Sequence, residues 1–314
     1  MYRRPLPSTN LRFLSTLMWD GRESSTQTGT QRITYSTNPG DLLFDLAHQS
    51  LDATAGHAEG STPLTPQQQQ AIVNFEMALF TAQVYDYQAG LLSGGATGGP
   101  AAIATQTAPA FFIGINDPLG QNPRGAAFTP VIFNLFDAWL KQRSGGDDHN
   151  DDRDSARMRI LRGQRLFNSK PIQIVGVGGL NDDLNAAVIP GTCGTCHDSP
   201  NVGNHSVSAP LNIGVGDVDS PLDVRYLPVI TLQNRVTHEI MRTTDPGRAL
   251  VTGLWRDVGR LKGPILRGLP SRAPYFHNGS AASLNDVIDF YEKRFHIGFT
   301  PQEKRDLIAF LNSL

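Results

Sequence analysis

The sequence predicts a mainly α-helical fold with long loops and few strands, and two observations support this class. Apolar residues recur at helical spacing after clear start signals, of which Thr65-Pro66-Gln67-Gln68 and Thr300-Pro301-Gln302-Glu303 are the clearest. In both, Thr is the N-cap, Pro takes the first helical position, and Gln or Glu completes a capping box. The 314 residues also include 31 glycines and 21 prolines, which indicates that much of the chain is loop.

Six helices are predicted in detail. The helix that starts at Thr65 keeps its apolar spacing to about Val84. Residues 129–142 have the pattern of an amphipathic helix with three aromatic side chains on its apolar face. The remaining predicted helices cover residues 41–51, 155–167, 283–295 and 300–314.

The length allows two domains, and the composition suggests where they meet. Residues 144–153 are rich in Gly and Asp and contain no apolar residue, which is typical of a linker. We therefore expect an N-terminal domain over residues 1–150 and a C-terminal domain over 151–314. A polar Ser/Thr/Gln stretch at 24–37 is predicted to be a surface loop.

Charge and hydropathy exclude several classes of protein. The formal net charge is −2, so a nucleic-acid-binding surface is not expected. No run of about 18 apolar residues exists, so no transmembrane helix is predicted. The start of the chain, residues 1–7, lacks the apolar region of a signal peptide. Both cysteines lie in one motif, which leaves no thiol for a structural disulfide.

That motif, Cys193-Gly194-Thr195-Cys196-His197, has the spacing of a c-type haem attachment site. Residues three and four apart share a helix face, so the two thiols can form thioethers with one porphyrin while the imidazole reaches its iron. A dithiol redox site would need a thioredoxin-like βαβ frame, and a zinc site would need a second Cys or His pair. The sequence has no such frame and no further cysteine, so covalent haem is the favoured interpretation.

The second axial ligand of the iron is left open by the residues themselves. An electron-transfer cytochrome would use Met or His, and for each candidate a packed or solvent-facing side chain is the alternative. The candidates are Met241, His205, His238, His277, His296 and Tyr291.

Several segments resemble the bacterial di-haem cytochrome c peroxidases and MauG-type enzymes. The most specific is RGLPSRAPYFHNGS at 267–280, which is similar to the family's APYFHDG signature. AASLNDVIDFY at 281–291 and DLIAFL at 306–311 continue it. In the first half, WDGR at 19–22 and NPGD at 38–41 resemble two further family motifs.

The resemblance implies two cytochrome c-like helical domains. The first would be peroxidase-like but lacks its haem motif, and the second would carry one covalent haem at Cys193, Cys196 and His197. Tyr291 stands where peroxidases place a Met ligand and MauG-type enzymes a Tyr, so the resemblance makes it the first choice for the distal ligand. A tyrosinate ligand would lower the reduction potential relative to Met.

Further roles also follow only from the resemblance. Trp19 matches a tryptophan between the two haems that supports electron transfer, with core packing as the alternative. Asp41 matches a carboxylate that moves the peroxide proton, with a carboxylate at a helix N-terminus as the alternative. The backbone carbonyls of Arg272 to Pro274 match a calcium site between the domains.

The sequence departs from the family by having one haem motif instead of two. Either the chain begins after a first haem motif, which the missing signal peptide favours, or it is a mono-haem relative. In the first case the chain alone would lack the peroxidatic haem. The resemblance implies a periplasmic oxidoreductase that uses hydrogen peroxide and a small redox protein, and it allows a homodimer. The alternatives are a mono-haem electron carrier without catalysis and, because only 18% of residues are charged, a docking subunit of a larger redox enzyme.

Overall fold

The computed structural model describes residues 1–24, 37–142, 151–207 and 209–314. Across these ranges, helices joined by long loops dominate, together with three small antiparallel sheets of two strands each. The helices are α1 (Pro39–Asp52), α2 (Pro66–Ala78), α3 (Ala108–Ala110), α4 (Trp139–Gln142), α5 (Asp151–Ser169), α6 (Ala249–Thr252), α7 (Leu284–Phe295) and α8 (Pro301–Leu311). The paired strands are β1 (Tyr85–Asp86) with β2 (Gly90–Leu91), β3 (Ile172–Val175) with β4 (Val188–Gly191), and β5 (Ile230–Gln233) with β6 (Ile240–Thr243).

The predicted helix starts at Thr65, Ser283 and Thr300 are confirmed. Capping boxes at Thr65, Ser283 and Thr300 begin α2, α7 and α8, and in each the side chain and the third helical residue satisfy each other's backbone amides. Pro at the first helical position of α2 and α8 costs no hydrogen bond, because an amide at that position would have no partner inside the helix. The α2 helix ends at Ala78, six residues earlier than the spacing predicted.

The helix predicted over residues 129–142 is wrong for most of its length, since only Trp139–Gln142 is helical. Side chains of α5 accept hydrogen bonds from the backbone amides that would otherwise form a helix over this segment. The Asn168 carbonyl oxygen accepts from the amides of Ile132 and Phe133, at 3.0 and 3.1 Å. The apolar spacing therefore belongs to a loop that wraps around α5.

Helices α5 and α8 cross at the centre of the main core. Gly163 lies at the crossing, where a Cβ atom would overlap the backbone oxygen of Asp306. Beside it, Arg162 Nε donates to the Asp306 carboxylate at 2.7 Å. Phe133 and Phe310 pack edge to face in the same core, with ring centroids 5.2 Å apart.

This core contains buried residues from 89–139 as well as from 156–314. It therefore crosses the boundary that the sequence places at residue 150. Of the predicted linker, residues 151–153 belong to α5, and residues 144–150 lie outside the described ranges, as do residues 25–36 of the predicted surface loop. The division into two domains stays a prediction.

Two smaller apolar clusters complete the interior. One packs the first residues of the chain against α1 and α2 around Phe13, and the other packs β3 against Phe295 and both cysteines. Within the ranges that the structure describes, no helix is both long and apolar enough to cross a bilayer.

Candidate haem site

The cysteine motif follows β4 directly and forms a tight turn. Cys193–Thr195 is a single 3₁₀ turn, where the sequence suggested a helix face. Thr192 and Thr195 cap each other, and the His197 amide donates to the Cys193 carbonyl at 3.0 Å. This turn places both cysteines and the histidine within one short segment of the cavity wall.

The two thiols and the imidazole line a large apolar cavity. The space between its lining atoms, including the part open to solvent, is about 1510 Å³. Aromatic and aliphatic side chains such as Phe167, Ile174, Leu211, Ile288 and Phe295 form most of its wall. No Asp or Glu from the described residues lines it.

His197 is oriented by the backbone next to it. Its Nδ1 lies 2.9 Å from the carbonyl oxygen of Gly203, and because a carbonyl only accepts, Nδ1 carries the proton and Nε2 is left to bind a metal. Burial, with a contribution from His205, lowers the pKa of His197 to about 4. The ring is therefore neutral at pH 7, as a metal ligand must be.

The environment of the two cysteines differs from that of a redox dithiol. Burial raises the pKa of both Cys193 and Cys196 to about 12, and the thiols are not joined in a disulfide. Reactive Cys-x-x-Cys pairs instead have lowered pKa values. This contrast counts against thiol exchange.

The structure places only some of the six candidate distal ligands of the haem iron near the cysteine motif. Three of the six candidates line the cavity: His205, His277 and Tyr291. Three do not: Met241 in β6, and the exposed His238 and His296.

Tyr291 projects from α7 into an aromatic cluster of Phe276, Phe290 and Phe295. Burial raises the pKa of its hydroxyl, and the nearby cysteines add to the effect. In the absence of a metal the hydroxyl is thus a neutral phenol. Its position in the cavity wall agrees with the sequence-based expectation, and its ligation of iron stays a prediction.

Trp19 comes from the first half of the chain but lines the same cavity. Its indole Nε1 donates to the Arg4 carbonyl at 2.7 Å, and its own carbonyl accepts from the Lys262 amide at 2.7 Å. Its ring lies 6.1 Å from that of His277. Trp19 is therefore held at the edge of the cavity.

Asp41 is not brought to this cavity. It lies in the first turn of α1, where its carboxylate accepts from the Asn38 side chain at 3.1 Å. This is the helix N-terminal position that the sequence allowed as the alternative. A role beside a peroxide-binding haem stays a prediction.

The carbonyls assigned to calcium lie next to the chain's own cations. Pro274 O accepts a hydrogen bond from the Arg4 guanidinium, and the Arg272 side chain donates to Ile265 O at 2.7 Å. These two guanidinium groups repel each other, and a calcium ion would add to the positive charge. Calcium stays a prediction that the local charge disfavours.

Sequence reasoning did not identify Lys262 as part of the cavity wall, and it did not foresee the carboxylate beside His205. Lys262 is buried there, and His205 stands with its Nδ1 3.4 Å from the buried carboxylate of Asp198. His205 appeared only as a possible ligand, and nothing in the local pattern singled out Lys262. Contacts between distant segments create both environments.

The residues present fit a covalently bound haem. The cavity offers two unpaired thiols, a neutral imidazole held through Nδ1, and apolar walls for a porphyrin.

Comparison with known proteins agrees with this site. No family model matches the chain. Cytochrome-c peroxidase IdrP1 of Pseudomonas sp. (strain SCT) is 30% identical over 142 residues, which cover 39% of this chain and 36% of that protein. Cytochrome-c peroxidase IdrP2 of Denitromonas iodatirespirans is 30% identical over 135 residues, 40% of this chain and 36% of that protein.

Two matches concern MauG. Methylamine utilization protein MauG of Methylorubrum extorquens is 41% identical over 64 residues, 17% of this chain and 18% of that protein. The solved structure of a MauG-like protein associated with microbial copper homeostasis superposes with a TM-score of 0.46 at 16% identity, covering 100% of this chain and 75% of that one. The chain spans about a third of the length of the curated peroxidases that it matches. These sequence matches support, at low identity, a relationship of the chain to bacterial di-haem cytochrome c peroxidases and MauG-like proteins.

Proposed function

We propose that this chain is a periplasmic electron-transfer protein of the peroxidase and MauG-like group that carries one haem c. Cys193 and Cys196 would form the thioethers to the haem, and His197 would bind its iron. The observation that carries the proposal is the shared cavity of the two thiols and an imidazole already held through Nδ1. Bound haem would supply one-electron oxidation and reduction at its iron.

The protein residues determine how such a centre would behave. His197 keeps its Nε2 free because Gly203 accepts from Nδ1. The Tyr291 hydroxyl is the ligand we favour on the other side, and an oxygen ligand of this kind stabilises ferric iron. Trp19 is fixed at the cavity edge by the bond from its indole Nε1 to the Arg4 carbonyl and by the bond from the Lys262 amide to its own carbonyl, and it would offer an aromatic path for electrons to and from a bound haem.

We propose that this electron transfer serves the reduction of peroxide. The names of the relatives support hydrogen peroxide as the oxidant and a small redox protein as the electron donor. Each peroxide takes up two electrons and two protons to give two water molecules. We assign only electron transfer to this cavity, where no acidic side chain of the described residues is present to supply a proton.

The same observation favours a second candidate, a mono-haem electron carrier without catalysis. The cavity wall lacks the carboxylate that the resemblance assigns to proton transfer during O–O cleavage. This candidate predicts a six-coordinate, low-spin haem that does not react with peroxide. Peroxide consumption by the purified protein would reject it.

Expression in a host with c-type haem maturation tests the proposal. We expect one haem per chain by pyridine haemochrome, retained after denaturation because the bonds are covalent. The Cys193→Ala, Cys196→Ala double variant should lose covalent haem. Wild-type chain without attached haem would overturn the proposal, and attached haem with reducible iron would support it.

A further inference from the structure

Lys262 is a buried cation on the wall of the haem cavity. Only 7% of the side chain is exposed, and neither a hydrogen bond nor an ion pair engages its ammonium group among the described residues. Burial lowers the pKa of this lysine to about 8, so it is still mainly charged at pH 7. A buried charge without a partner is unfavourable, so an anion bound to this ammonium group would stabilise it.

The charges around Lys262 are positive. Arg272 lies close enough to lower the pKa of Lys262 further, and Arg4 acts on Arg272 in the same way. Among the residues that the structure describes, no carboxylate contributes to the field at Lys262 or at Arg272. This end of the cavity therefore attracts a negatively charged group.

The backbone of Lys262 is fixed at the cavity edge. Its amide donates to the Trp19 carbonyl at 2.7 Å. The next residue, Gly263, lies so close to His205 that a Cβ atom would come within 2.8 Å of the imidazole Cδ2. The lysine side chain therefore starts from a rigid point between two other side chains of the wall.

We propose that Lys262 binds a propionate carboxylate of the haem and thereby sets the haem's orientation and reduction potential. The inference rests on the proposed function, because the haem brings the carboxylate. A small carboxylate from solution would offer the same chemistry to an ammonium group, so the test must separate the two sources.

The test compares Lys262→Met and Lys262→Arg with wild-type holoprotein, and Lys293→Met on the exposed surface of α7 is the matched control. Positive charge beside the haem favours the ferrous state. We expect Lys262→Met to shift the equilibrium at least tenfold towards ferric iron, which lowers the midpoint potential by about 59 mV. Resonance Raman spectra should also show a shifted propionate bending band. Lys262→Arg should keep both properties near wild type.

The outcomes are decisive in each case. Equal potentials and unshifted propionate bands in wild type and Lys262→Met would overturn the inference while haem attachment remains. If Lys262→Met forms no holoprotein, recovery in Lys262→Arg supports the inference and failure of that variant overturns it. A wild-type potential that moves with added acetate at constant ionic strength would assign Lys262 to a solution anion. Absence of haem from the wild type would instead mean that the proposed function has failed.

Discussion

The two halves of this chain differ in how they treat their apolar side chains. In the second half, α5, α7 and α8 bury their aromatic residues in the core or around the cavity. In the first half, Phe13, Phe133 and Phe136 are buried too, but Phe44, Phe75 and Tyr87 are 62%, 63% and 94% exposed. The second half thus holds the haem ligands and most of the cavity wall, and the first half contributes its edge through Trp19. Four predictions test this comparison.

The largest effect is expected at the crossing of α5 and α8. Gly163→Ala places a methyl group on the Asp306 backbone oxygen, so the helices must separate. We expect the free energy of unfolding to fall by about 3 kcal/mol, measured by denaturant titration. Gly56→Ala in the first half, where nothing lies within 4 Å, is the control and should be neutral or stabilising. Equal effects of the two variants would contradict the predicted difference.

The second prediction concerns the ion pairs that join the two halves of the chain. Asp20 is fully buried and pairs with Arg3, which also pairs with Asp245, both at 2.6 Å. Burial opposes ionisation of Asp20, but hydrogen bonds from Arg22 and Arg3 outweigh it and lower its pKa below 3.8. Asp20→Asn should lower the free energy of unfolding by about 2 kcal/mol at pH 7.

The pH dependence of this loss has a definite sign. Because the folded pKa of Asp20 is lowered, its contribution is complete above the unfolded value of 3.8 and disappears as pH falls through the folded value. The difference between wild type and Asp20→Asn should therefore shrink only in strong acid. Asp223→Asn, at an exposed pair with Arg225, should show no measurable change. A difference that is constant down to pH 2 would refute the assignment.

A third, smaller effect is expected behind His197. Gly203 has a φ of +75°, and a Cβ atom there would lie 2.7 Å from the Phe133 ring. Gly203→Ala should shift the carbonyl that holds His197 and reduce holoprotein yield about tenfold, read from the ratio of Soret to protein absorbance. Gly120→Ala has a similar φ of +79° without close neighbours, so it separates backbone strain from the histidine contact. Equal yields from both variants would exclude a specific role for this carbonyl.

The smallest effect belongs to the exposed aromatics of the first half. Phe44→Ser should change the free energy of unfolding by less than about 0.5 kcal/mol, since its ring is already in water. As a control from the core, Phe310→Ala should lower it by roughly as much as Gly163→Ala does. Thermal unfolding of the two variants gives the comparison directly. A large loss at Phe44 would show that the first half buries more than its surface suggests.

The sequence predicted whatever is encoded within a few residues. The capping boxes at Thr65 and Thr300 and the haem motif at 193–197 each combine residue types whose interactions are local, and all three were identified before the fold was known. The 129–142 segment was mistaken for a helix because its apolar spacing is genuine while its hydrogen-bond acceptors lie on α5. Lys262 and Arg4 gave no local signal, because their environments depend on segments more than 240 residues apart.

The bonds that hold Trp19 at the cavity edge also constrain the order in which the protein can be assembled. Arg3 reaches Asp245, and the Trp19 carbonyl reaches the Lys262 amide, so the start of the chain can settle only after its last third has been synthesised. Haem attachment at Cys193 and Cys196 has no such requirement. We expect the prosthetic group to be installed before residues 1–20 dock against the last third of the chain. Limited proteolysis should then cleave residues 1–17 faster in haem-free protein than in holoprotein, and equal rates would contradict this order.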